Sequence, residues 1–125
     1  MTENEISYKI RGAIFKVYNN FGPGLLESIY EEALYYELTK AGLKVELQVP
    51  LEVIYDGVVL KQKFRMDMVV EGLVVVEVKS AEEVSDLHHK QLLSYLKLSK
   101  KRLGILVDFN SVQIDKAIFR KVNGL

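Results

Sequence analysis

The sequence contains no cysteine, which removes disulfides and thiolate metal sites from consideration. No apolar run approaches the roughly 20 residues that a membrane helix needs. The first residues, MTENEISYKI, lack the basic-then-apolar pattern of a secretion signal. A cytoplasmic protein with no membrane partner is therefore expected. The chain also lacks net charge, since 17 Lys and Arg balance 17 Asp and Glu. Proteins that coat nucleic acid usually carry a basic excess. Neutrality speaks against that class but leaves room for an enzyme whose acids are gathered at a metal site. No repeat, linker or low-complexity stretch divides the chain. With 125 residues, 49% of them hydrophobic and 27% charged, a single domain over residues 1–125 is expected.

Hydrophobic spacing sets the expected elements. Thr2 and Glu5 have capping-box spacing, and Ile6, Ile10, Ile14, Val17 and Phe21 recur at helical period, so a helix is predicted over 4–20. Gly22-Pro23-Gly24 ends it. A second helix is predicted over 25–40 with Leu26, Ile29, Ala33 and Leu34 inward, closed by Gly42. The period then becomes two. Leu43, Val45, Leu47 and Val49 alternate with polar residues as a half-buried strand, and 51–55 forms another. Asp56-Gly57 is a hairpin turn that returns 58–64 antiparallel and leads into 65–70. After a turn near Glu71-Gly72, residues 73–79 are apolar on both faces up to Glu77, as in a central strand. Ser85 caps a third helix to Ser99 with Leu92, Leu93 and Leu96 inward; 103–109 is a second buried strand, and 112–122 a weaker strand or short helix. A helix joining two core strands implies an α/β fold, a mixed central sheet flanked by helices.

The chemistry gathers at the end of the central strand. Glu77 and Lys79 are two apart and share a face, and charges at the end of a buried strand are costly unless hydrated, paired or bound to a metal. Asp67 lies one strand upstream in another apolar run. A three-residue loop over 70–72 would put it on the face of Glu77, whereas a two-residue Glu71-Gly72 turn would put it on the other. Two carboxylates with the backbone carbonyl of Val78 form a hard oxygen set suited to Mg²⁺ or Mn²⁺, with Lys79 beside them to act on a water. The alternatives are a hydrated strand end and a structural Asp67–Lys79 ion pair.

An Asp followed by Glu-x-Lys on the next strand resembles the PD-(D/E)xK nuclease superfamily. The resemblance extends to its GxxExxY group through Gly24-Leu25-Leu26-Glu27-Ser28-Ile29-Tyr30, Arg65-Met66-Asp67, Glu77-Val78-Lys79, Gln91-Leu92-Leu93-Ser94-Tyr95-Leu96 and the strand LGILVDF, in that order. Met66 stands where the superfamily has its proline. The resemblance implies a restriction-endonuclease-like core. It implies that Asp67 and Glu77 bind Mg²⁺ or Mn²⁺ and that Lys79 acts on the attacking water. Glu27 would join the metal site from the second helix, the alternative being an acid placed there by the helix dipole. Gln91 and Tyr95, four apart on one helical face, would reach the site or the substrate, or else border the core. The resemblance places a histidine near His88, where it would contact either the substrate or the residues around the metal. Adjacent helical residues diverge by about 100°, so His88 and His89 are not expected to share a metal. The tyrosines Tyr18, Tyr30, Tyr35, Tyr36 and Tyr55 are expected to pack at the core edge rather than stack on bases. Lys61, Lys63 and Arg65 share a strand face that would track a phosphate backbone or defend an edge strand; Lys97, Lys100, Lys101 and Arg102 form a second basic group. Nucleic acid, with DNA foremost, is the expected partner. A non-catalytic nucleic-acid-binding or accessory module on the same fold is the competing reading. A homodimer through the exposed part of the first helix or through 112–125 is also expected.

Overall fold

The computed structural model describes all residues, 1–125. Helix α1 spans Glu3–Phe21 and α2 spans Glu27–Lys40. Strands β1 (Val45–Tyr55), β2 (Val58–Val70) and β3 (Val74–Lys79) follow, then α3 (Asp86–Ser99), β4 (Leu103–Asp108), a 3-10 turn at Ile114–Lys116 and β5 (Ile118–Val122). The five strands form one sheet in sequence order, with β3 and β4 parallel across the α3 crossover and every other pair antiparallel. This is the mixed α/β arrangement expected.

Helices α1 and α3 start at side-chain caps, whereas α2 has none. Thr2 and Glu5 close a capping box on α1, and Ser85 caps α3. The apolar stripe of α1, Ile6, Ile10, Ala13, Ile14 and Val17, is buried with Tyr30, Leu34 and Leu38 of α2 on one sheet face. That face presents Met68, Val70, Val74, Val76 and Val78. On the other face Leu92, Tyr95 and Leu96 of α3 cover Val69, Val75 and Leu106. Because β3 alternates, Glu77 and Lys79 fall on the α3 side with Val75.

Three expectations are corrected. Leu26 and Ile29 do not point inward, since both are exposed. Leu26 is extended, so α2 starts at Glu27 and its inner stripe is Tyr30, Leu34 and Leu38. Tyr30 is not an edge residue, because its ring is fully buried and stacked on Phe109 at 4.5 Å. The two strands expected at 43–49 and 51–55 are one continuous β1.

Candidate active site

The loop between β2 and β3 contains three residues, Glu71, Gly72 and Leu73, because Val70 pairs with Val74. The register therefore sets Asp67 opposite Glu77, on the same side of the hairpin. Regular pairing stops one step earlier, at Met68 and Val76. Beyond it the side chains replace the ladder. The Asp67 N–H donates to Glu77 Oε2 at 2.7 Å, and the Val78 N–H donates to Asp67 Oδ2 at 2.9 Å. The N–H and C=O of one strand residue point to the same side, so the Val78 carbonyl faces the same gap.

The β1–β2 ladder is interrupted at the same level. Leu47 pairs with Met68 and Val49 with Met66, while Gln48, in a left-handed conformation at φ 49°, is left opposite Asp67. Here the hairpin turns over. Val45 and Met68 pack toward α1 and α2, but Val49, Leu51 and Met66 pack toward α3. The Gln48 amide donates to Glu31 of α2 at 3.0 and 3.3 Å. Glu31, one turn after Glu27, is thereby tied to the strand that faces Asp67.

These acids influence one another. Burial pushes Glu77 up to about 8, and the charge of Asp67 adds to the effect, while the Asp67 N–H and the charge of Lys79 oppose it. Asp67 is raised by burial and by Glu27, against the Val78 N–H, Lys79 and Gln48. Burial likewise raises Glu31. Tyr95 is pushed up to about 12 by burial and then by the charges of Glu77 and Asp67. The Asp67–Lys79 ion pair is not formed, because the one ion pair within 4.0 Å joins Glu3 to Arg102 at 2.9 Å. Lys79 is half-buried and acts on both carboxylates through its field.

The remaining sequence candidates divide. Glu27 is exposed at the start of α2 and reaches Asp67 through charge. Tyr95 borders the site from α3, packed against Phe64 at 5.2 Å. Gln91 is half-buried beside it in the helix. His88 is engaged in the α3 cap, where its Nδ1 accepts the Ser85 N–H at 3.3 Å. Gln48 and Glu31 were not among the candidates, although Glu31 follows Glu27 by one helical turn. Asp108, also not anticipated, is buried at the end of β4; its Oδ1 accepts from Ala81 and Asn110 and shapes the loop after β3. A cavity of about 440 Å³ between α1 and α2, lined by Val17, Phe21, Ile29 and Tyr36, touches none of the central carboxylates.

The donor set fits a hard divalent cation. Glu77 Oε1 and Asp67 Oδ1 accept no backbone hydrogen bond and are not sealed from solvent. No three His, Cys, Asp or Glu side chains are close enough to hold an ion by themselves. Mg²⁺ ordinarily takes one or two carboxylates and completes its shell with water and substrate oxygens, so a pair with a carbonyl is sufficient.

The mixed sheet and the Asp, Glu-x-Lys hairpin at its centre define a restriction-endonuclease-like core. The sequence model of the PD-(D/E)XK nuclease superfamily matches residues 4–121, and the chain belongs to that superfamily. Its nucleases typically use divalent metal ions and act on nucleic acid. The chain is also similar to the solved structure described as that of SSO0001, with 28% identity and a TM-score of 0.58 over 79% of this chain. It spans 51% of that chain, about half its length. No curated protein matches it significantly. No helix is long and apolar enough to cross a membrane.

Proposed function

We propose that the protein is a metal-dependent nuclease that hydrolyses phosphodiester bonds, with DNA as its substrate. The observation that carries this reading is the register that sets Asp67 opposite Glu77, with Lys79 on the face of Glu77. Asp67, Glu77 and the Val78 carbonyl would hold Mg²⁺ or Mn²⁺, with Glu27 and Glu31 at the periphery. The cation would supply Lewis acidity toward a phosphate oxygen and lower the pKa of a water. Lys79 would orient that water and offset charge gathering on the phosphate. Gln48 would hold Glu31 toward the cleft, and Tyr95 and Gln91 would wall it from α3.

The ordered motif Gly24 to Tyr30 supports a place in the GxxExxY group. Gly24 has φ 104°, a value that favours glycine, and the Tyr30 hydroxyl accepts from Leu25 N–H and donates to the Gly22 carbonyl. These bonds fix the turn from which Glu27 emerges. A cytoplasmic location and a homodimer are part of the same reading. An accessory module without cleavage is the competing one, favoured by the neutral net charge. A screen with Mg²⁺ and with Mn²⁺ over duplex, single-stranded and branched DNA and RNA tests the proposal. Cleavage of DNA that disappears in Asp67→Asn supports it, and no cleavage of any substrate with either metal contradicts it.

A further inference from the structure

From Glu52 to Arg65 the β1–β2 pair leaves the body of the sheet. β2 pairs with β3 only from Met68 to Val70, whereas it pairs with β1 out to Val58. Every residue of this arm except Val53 is exposed. Its base is anchored on α3 through Leu51, which is buried, and through Phe64 against Tyr95. Lys61, Lys63 and Arg65 alternate along one face for about 14 Å at strand rise. None of the three has a hydrogen-bond or ion-pair partner. The second basic group differs, since Lys101 donates to the Gly72 carbonyl and Arg102 pairs with Glu3. Arg65 is two residues from Asp67 on the same strand, so the inner end of the row lies about 7 Å along the strand from Asp67. At the far end Tyr55 is 72% exposed, with Ile54, Val58 and Val59 also in water.

We propose that this arm grips nucleic acid, with Lys61, Lys63 and Arg65 along the phosphates of the bound strand and Tyr55 against an unpaired base at the tip. The inference rests on the nuclease reading. Cations without partners on an extended ribbon match phosphates in charge, and such contacts set the register of the substrate. A two-stranded ribbon also fits the major groove of a duplex, and an exposed aromatic ring stacks on any base. A second copy of the chain is the poorer occupant. A two-fold interface sets the same patch against itself, which would bring the cationic row onto its own copy.

The test measures binding of the full chain to labelled single-stranded and duplex DNA in EDTA, where metal-dependent cutting is off. Lys61→Ala/Lys63→Ala/Arg65→Ala should weaken binding about tenfold or more and reduce the salt slope by about two to three. Lys9→Ala/Lys16→Ala/Lys40→Ala, which removes the same charge from α1 and α2, should change affinity less than about threefold. Tyr55→Ser should weaken single-strand binding about fivefold, and duplex binding less. The thermal shift produced by Mn²⁺ should be the same in all these variants as in wild type. Equal losses in the two triple variants, or unchanged binding in the arm variant while wild type binds and cuts DNA, would overturn the arm and leave the nuclease reading standing. An arm variant that merely turns a dimer into a monomer, with DNA binding intact, would also overturn it. Wild type that neither binds nor cuts nucleic acid would overturn both.

Discussion

Asp67 and Glu77 face one another where the β2–β3 ladder ends, and each carboxylate takes a backbone N–H, from Val78 at 2.9 Å and from Asp67 itself at 2.7 Å. The strands are held apart there by side chains rather than joined by main chain. The gap so formed contains two acids whose charges oppose one another and the field of one lysine that favours both.

A cation in that gap should stabilise the fold. Millimolar Mg²⁺ or Mn²⁺ should raise the melting temperature, since a ligand at 100 times its Kd adds about 2.7 kcal/mol when it binds only the native state. Asp67→Asn keeps an oxygen for the Val78 N–H but removes one charge. It should abolish the metal-induced rise and leave the metal-free protein as stable as wild type or more so. Differential scanning fluorimetry checks both, and a wild type indifferent to either metal would contradict the site.

The raised carboxyl of Glu77 makes a prediction about pH. Its value is lifted from 4.5 to about 8 in the folded chain. Between those values the folded state holds a proton that the unfolded state has released, so stability falls as pH rises. The contribution is complete below about 4.5 and lost above about 8. One fully linked group gives at most about 1.4 kcal/mol per pH unit, and Asp67, raised as well, acts in the same direction. Urea midpoints of the metal-free protein from pH 5 to 8 should decline, and Glu77→Gln should flatten the decline. Midpoints that rise across this window in wild type would contradict it.

Gln48 combines a costly backbone with a useful side chain. At φ 49° a residue with a Cβ costs about 1–2 kcal/mol more than glycine. Gln48→Gly should therefore be more stable than Gln48→Ala by about 1 kcal/mol. Both lose the bridge to Glu31, and removal of such an outer partner typically lowers metal affinity or activity about 10–100-fold. Equal stabilities, or full activity in both variants, would contradict the role given to Gln48.

Much of the site was legible because the period of two put Glu77 and Lys79 on one face and because both β-turn signals are real. The face of Asp67 depends on a loop length that sequence leaves open between two and three residues; the loop has three, Glu71 to Leu73, one residue later than the 70–72 considered from sequence. Gln48 was not legible for a specific reason. Continued from the Asp56-Gly57 turn without interruption, the register puts Glu46 opposite Asp67. A register shift between Glu52 and Ile54 moves β1 by two residues and brings Gln48 there instead. The inner face of α2 is not legible because Leu25 and Leu26 look helical, whereas Leu26 is extended and the helix starts only at Glu27, with Tyr30 in the core.

Tyr30 gives the late start of α2 an energetic test. Its hydroxyl donates to the Gly22 carbonyl at 2.5 Å and accepts the Leu25 N–H at 3.1 Å, while its ring stacks on Phe109. Tyr30→Phe preserves the stack but strands both backbone groups, which should cost about 1–3 kcal/mol in chemical denaturation. An unchanged midpoint would mean that the motif turn is held by other contacts.

In the nuclease reading Lys79 acts on the reaction and not on the fold. The measurement is a paired one on wild type and Lys79→Ala, comparing the rate of DNA cleavage in Mn²⁺ with the affinity for Mn²⁺ from a calorimetric titration. Lys79→Ala should lose about 10²–10⁴ in rate while its Mn²⁺ affinity stays within about fivefold of wild type, since a cation does not ligate a metal. A wild type that cuts nothing, paired with a Lys79→Ala variant that is merely less stable, would contradict the account and favour a non-cleaving accessory module.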